Sequence, residues 1–328
     1  MRRLLAAALI FLALGPVPGA QKRLPPPDTR SQRIAAHTLA FPAERAGTLR
    51  FVRGWRLASP NRTFGGFSAM AVVAPGRFQL VSDSGIGALM TLRPDGRVNG
   101  VRIARLPGPG RESRRKSQSD FEAMAVDRAT GKAWVALEGL NQVWRLDAAL
   151  TRIESRARLP KPRWPINSGP EAMARLADRR TLIFSEDGGD DPRGREALLF
   201  AGDPAVPGTK AIRFIYDAEG RGLVSDAAPL PDGRVLLVHR RLGFSPVFTT
   251  ILATIDPADI RAGTVVRSRT IGRVPEPLAE NYEGAAVEVR GGRTYLWLVS
   301  DDNFNSWQRT LLMQFELTGI SDSKKAAP

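Results

Sequence analysis

Residues 282–301 read YEGAAVEVRGGRTYLWLVSD: an acidic residue beside an aromatic one, a run of small and apolar residues, a turn on Gly291 and Gly292, and an apolar rise ending in Asp301. The turn and the two flanking runs form the signature of a β-hairpin. Four more stretches have the same form. They are FSAMAVVAPGRFQLVSD from Phe67, FEAMAVDRATGKAWVALE from Phe121, PEAMARLADRRTLIFSED from Pro170 and SDAAPLPDGRVLLVHR from Ser225. Aligned on Ser68, Glu122, Glu171, Asp226 and Glu283, the copies are 54, 49, 55 and 57 residues apart. Repetition at that period suits a four-stranded propeller blade with generous loops.

Each of the first four units supplies two further strands. They are ALMTLRP and RVNGVRIARL, then QVWRLD and RIESRARL, then EALLFAG and KAIRFIY, then TTILATID and TVVRSRTIG. The fifth unit has only TLLMQFEL before its polar end. A spare strand, TLRFVRGWRLA from Thr48 to Ala58, stands ahead of the first unit. Donating it to the last blade closes the ring and removes the raw edges that a sheet array would otherwise expose. The expected fold is therefore all-β, a single propeller with five four-stranded blades favoured and six possible.

The domain plan follows from this count. Residues 1–20, MRRLLAAALIFLALGPVPGA, combine two arginines, a short apolar run and small residues, the pattern of a secretory signal peptide. Residues 21–46 read as an N-terminal linker, 47–318 as the propeller and 319–328 as a flexible tail. A periplasmic or secreted protein is expected, a monomer without stable membrane insertion once the signal is cleaved. The chain has no cysteine, which excludes disulfides, thiolate nucleophiles and Cys-ligated metal.

The formal net charge of +15 comes mostly from arginine spread along the chain. Only RESRRKSQS, residues 111–119, forms a dense cluster, read as a surface loop that could grip an anion. No nucleic-acid motif accompanies it, so no nucleic-acid partner is expected. Elbow, P-loop and zinc-protease motifs are absent too. A Ser-His-Asp triad would have to use His239, for which a local bond within its strand is the simpler role.

In every hairpin the start of the first strand and the end of the second fall on one face of the disk. The resulting pairs are Ser68 with Asp83, Glu122 with Glu138, Glu171 with Glu186, Asp226 with Arg240, and Glu283 with Asp301. Carboxylates crowded together raise one another's pKa and call for a neutralising cation. Asp83, Glu122, Glu138, Glu171, Glu186, Asp226, Glu283 and Asp301 are the candidate ligands of a hard ion such as Ca²⁺, with Asn167, Asp187, Asn281, Asp302 and Asn303 as further oxygens. The alternative is that each acid caps its own blade through backbone N–H groups.

Four blocks carry a resemblance to a known family. They are GGFSAM with SDSG, DFEAMAVD with WVALE, NSGPEAMA with FSEDGG, and NYEGAAVEV with LWLVSDDNF. Through them the chain resembles the phytase-like, or "esterase-like activity of phytase", family of exported bacterial propellers over about residues 64–317. The resemblance implies a propeller, export, and hydrolysis of phosphate or carboxylic esters on a small anionic or ester substrate. In the leading reading of the ring, Ca²⁺ held by Glu122, Glu171, Glu283 and Asp301 polarises the substrate oxygen, one ring carboxylate among Glu122, Glu171 and Glu283 serves as base, and Arg240 steadies developing negative charge. A non-catalytic propeller binding a sugar, peptide or envelope partner, and a lactonase, remain the alternatives.

Overall fold

The computed structural model describes residues 33–42, 45–108, 120–166, 168–186 and 191–320. Five sheets account for the strands. Their innermost strands, Phe67–Ala74, Phe121–Val126, Pro170–Arg175, Leu223–Pro229 and Tyr282–Arg290, each pack against the next, and the last packs against the first. The result is a five-bladed propeller around a central channel.

The last blade is completed as the strand count requires. Leu49–Ala58 pairs antiparallel with Leu311–Leu317, from Leu317 opposite Leu49 to Leu311 opposite Arg56. Trp55 stacks on Trp297 across this join with ring centroids 6.2 Å apart, and the Arg53 guanidinium lies over both rings. Part of the expected linker also joins the sheet. Ala35–Thr38 pairs with the outer side of Leu49–Ala58, so the blade gains an extra strand.

Burial falls from the channel outwards. Second strands such as Ala133–Leu137 and Thr181–Ser185 are buried on both faces, whereas the outer strands Val98–Arg105 and Ile153–Arg158 are mostly exposed or half-buried. Apolar residues form five clusters, each bridging two neighbouring blades. Burial of apolar area between blades, rather than within any one sheet, is thus the main cohesive term.

One expected strand divides in two. TVVRSRTIG does not form a single outer strand of blade 4: Val265–Arg267 adds parallel to Ala211–Asp217 of blade 3, and only Arg269–Arg273 pairs with Phe248–Ile255 of blade 4. The buried Arg221 side chain holds the crossing point, donating to Ser268 Oγ at 2.8 Å and Thr270 Oγ1 at 2.7 Å. Among the described residues no helix is long and apolar enough to cross a membrane. The signal sequence, the Arg111–Ser119 cluster, Asn167, Asp187 and the last eight residues lie outside the described part.

Candidate functional site

Every blade begins with the same irregularity. In blade 2, Phe121 pairs with Leu137 and Ala123 with Ala136, leaving Glu122 as a bulge. Glu171 and Glu283 are skipped in the same way in blades 3 and 5, Ser68 in blade 1 and Ser225 in blade 4. A bulge re-aims its side chain away from the alternating pattern of the strand. Next after the partner of the residue that precedes each bulge come Asp83, Glu138, Glu186, Arg240 and Asp301; in blade 4 the ladder continues past the bulge, so Arg240 is itself paired, with Leu223.

The register corrects one position of the expected ring. Ser225 occupies the bulge of blade 4, and Asp226 sits one residue deeper, opposite Val238 rather than Arg240. The Asp226 carboxylate is buried. Its two oxygens accept the Ala227 N–H at 2.8 Å and the Ala285 N–H at 2.6 Å, tying blade 4 to blade 5. Burial raises its pKa well above 3.8, against the pull of those two bonds. Asp226 thus fills the capping role that was the alternative to metal ligation.

Arg240 organises one side of the ring. Its guanidinium donates to Glu283, to Asn281 Oδ1 at 2.9 Å and to Glu186 Oε1 at 3.1 Å. Desolvation works against its charge, but Glu283, Glu171, Glu186 and Asp301 outweigh it and hold the proton more firmly than usual. Glu283 also accepts from Asn281 Nδ2 at 2.9 Å.

The other side is acidic. One oxygen each from Asp120, Glu122 and Glu138 lie within 4.8 Å of one another. Burial, then the charges of Asp120, Glu171 and Asp83, push the Glu122 pKa well above 4.5. Glu171 stands between the two sides: burial and the charges of Glu186 and Glu138 raise its pKa well above 4.5, while Arg240 opposes them. Asp301 is likewise raised, by burial and then by Glu283 and Asp83, against the Asn303 N–H that its carboxylate accepts at 2.7 Å. The charges of the ring therefore interact as one system.

Asp120 is a member that the sequence reading did not select. It directly precedes Phe121 in DFEAM, and its backbone carbonyl accepts the Glu138 N–H at 2.9 Å. The adjacent Asp was the available signal.

The loop Asp301–Asn305 explains the SDDNF block. Asn303 and Phe304 both adopt the left-handed region, at φ 47° and 50°. Asp301 and Asp302 hold them there by accepting the N–H two residues on, at 2.7 and 3.0 Å. Asp302 accepts the Gly66 N–H as well, at 3.0 Å. Gly66 itself has φ 61°, and the Phe304 ring fills the space that a Cβ would need there.

His239 belongs to the wall rather than to a triad. It is fully buried, its Nε2 lies 2.7 Å from the Tyr216 hydroxyl, and burial pushes its pKa down to about 4.

The sequence model of a family described as phytase-like, esterase-like activity of phytase, matches residues 62–304. No curated protein sequence matches the chain. Among solved structures, Myxococcus xanthus glutaminyl cyclase is 15% identical at a TM-score of 0.47, covering 81% of this chain and 95% of its own. Kuenenia stuttgartiensis hydrazine synthase is 12% identical at a TM-score of 0.40, covering 75% and 80% respectively. The β-propeller domain of Myceliophteria thermophila Cps50 (Swd1) is 11% identical at 0.41, covering 87% and 100%.

Proposed function

The chain belongs to the phytase-like family, and from that premise we propose that it is an exported hydrolase of phosphate or carboxylic esters, assisted by Ca²⁺ at the acidic mouth. The observation that carries the proposal is the unequal ring. Around Arg240, negative charge is matched by a guanidinium; around Glu122 the dominant neighbours are the further carboxylates Asp120, Glu171 and Asp83.

The donors suit a hard cation. Asp120, Glu122 and Glu138 offer only carboxylate oxygen, with Asp83 and Glu171 close enough to act on Glu122. Histidine nitrogen and thiolate ligands do not compete, since the chain has no cysteine, His239 is engaged with Tyr216, and His37 lies on the outermost strand Ala35–Thr38. When bound, the ion supplies Lewis-acid polarisation of an ester oxygen.

The remaining roles fall to the side chains. Glu122 and Glu171, whose pKa values burial and then the neighbouring carboxylates raise well above 4.5, hold a proton more readily than an ordinary carboxylic acid, which suits general acid–base action. Arg240 supplies fixed positive charge on the opposite side for an anionic group or a developing oxyanion. Glu283, Glu186 and Asn281 orient it, so Glu283 acts as a positioning residue.

A panel of phosphomonoesters, phytate and short acyl esters, assayed with Ca²⁺ and with chelator, tests the proposal. We expect Ca²⁺-dependent turnover of at least one class. Glu122→Gln and Glu171→Gln should each lower kcat by about a hundredfold or more, the scale of general acid–base catalysis. Absence of turnover across the panel at saturating Ca²⁺ would overturn it.

A further inference from the structure

The two ends of the channel are chemically unlike. Two residues beyond each bulge the wall carries Met70, Met124, Met173, Ala227 and Ala285, all buried or nearly so. This Met–Ala belt separates the acidic mouth from a cavity of about 520 Å³ that opens at the opposite end of the inner strands. Its volume is that of a small-molecule site.

The rim of this second cavity carries Arg128, Arg175 and Arg179. Arg128 reaches from blade 2 to blade 5, where its Nη2 donates to the Val287 carbonyl at 2.7 Å. Arg175 donates to the Arg179 carbonyl and to Thr181 Oγ1, both at 3.1 Å, and its guanidinium lies 4.2 Å from the Trp134 ring centroid. The hydrogen bonds of both guanidinium groups thus go to neutral acceptors. Glu288 acts on Arg128, and Asp203 and Asp127 on Arg175, through charge alone, their hydrogen bonds going elsewhere: Glu288 accepts the Trp297 indole at 2.8 Å, Asp127 the Ala129 N–H at 2.9 Å, and Asp203 takes Arg145 and the Trp134 indole, while Asp178 pairs with Arg180 at 2.7 Å.

A guanidinium whose hydrogen bonds go to neutral oxygens keeps its preference for a carboxylate or phosphate, which offers charge and paired oxygens together. Apolar walls behind such a rim favour a hydrocarbon body. We propose that this mouth is a second ligand site, which takes an amphipathic anion with its head on Arg128 and Arg175 and its acyl chain against the Met–Ala belt. The opposed charges of the two mouths would sort ligands between them, drawing cations to one end and anions to the other.

Decanoate is the probe, titrated calorimetrically into the full chain below its micellar range, with decanol and acetate as partial ligands. We expect saturable one-to-one binding of decanoate, and at least tenfold weaker binding of decanol and of acetate. The pair Arg128→Gln with Arg175→Gln should weaken decanoate at least tenfold. Because Arg175 packs on Trp134, the charge reversal Arg128→Glu at an exposed position gives an independent variant, with the same loss of affinity expected while the circular dichroism spectrum of the folded chain is retained. Glu122→Gln should leave decanoate affinity as it was. Absence of saturable binding, decanol binding as tightly as decanoate, or an unaltered affinity in Arg128→Glu would each overturn the proposal. So would an equal loss in Glu122→Gln, which would place the ligand at the acidic mouth. None of these results depends on ester hydrolysis.

Discussion

Blades 1 and 4 place serine at the bulge where blades 2, 3 and 5 place glutamate, and the two kinds of blade behave differently on one backbone geometry. Ser68 Oγ lies 3.3 Å from the Val81 carbonyl and 2.5 Å from the Phe121 carbonyl of the next blade. Ser225 repeats this at 3.3 Å from Val238 and 3.0 Å from Tyr282. A hydroxyl can donate to such carbonyls, whereas an ionised carboxylate is an acceptor only. Glutamate at the bulge must find N–H groups, arginine or a cation, and the channel is where these can be reached. Residue type at a single register position therefore decides whether the bulge side chain stitches its blade to the next or adds a carboxylate to the site, while Asp83 and Arg240 still join the ring from the second strands of the serine blades.

Removing the one cation of the ring should have the largest effect. Arg240 is largely buried, as are its partners Glu186 and Glu283. Arg240→Leu would leave them facing each other without counter-charge, a change that typically costs about 3–5 kcal/mol. We expect a loss of about 3 kcal/mol at neutral pH by chemical denaturation, partly regained on acidification as the carboxylates take up protons. A loss below about 1 kcal/mol, the scale of an exposed pair, would mean that solvent or ions already neutralise this side of the ring.

The acidic side predicts a smaller, pH-dependent effect. Glu122 and Glu171 have ordinary values of 4.5 and Asp301 of 3.8, and all three are raised in the folded chain. The folded state therefore retains protons that the unfolded chain has released. Stability is greatest at low pH with respect to these groups, and falls as pH rises above those ordinary values towards the raised ones. Without divalent ions, the melting temperature should be lower at about pH 8 than at about pH 5, and Ca²⁺ should reduce that difference by binding the folded ring. A profile that is flat in this window and indifferent to Ca²⁺ would contradict both the acidic pairing and the ion.

The hairpin repeat made the blade number and the donated strand Thr48–Ala58 legible, because each depends on periodicity and turn residues spread over many positions. The bulge was not legible. It inserts one unpaired residue, and in SDAAP both Ser225 and Asp226 could begin the strand; alignment on acidity selected Asp226, whereas the hydrogen bonds select Ser225. Asp120 escaped for a related reason, since it precedes the strand that carries the repeat. The division of residues 265–273 between two blades depends on Arg221, distant in sequence and unremarked by any local pattern. Most of the ring was readable as a set of strand ends, but its division into an arginine-neutralised side and an acidic side needed coordinates.

The smallest expected effect is the most direct test of the serine–glutamate contrast. Ser68→Ala and Ser225→Ala each remove one donor from a buried inter-blade contact, worth about 1 kcal/mol. The two residues stitch different interfaces, blade 1 to blade 2 and blade 4 to blade 5. Their losses should therefore add in the double variant to within about 0.5 kcal/mol. Neither substitution should alter the affinity for Ca²⁺, because neither serine replaces a carboxylate of the Asp120, Glu122 and Glu138 group. Unchanged stability together with weakened Ca²⁺ binding would reverse the assignment, making the serines ligands and leaving the propeller without stitches at those two bulges.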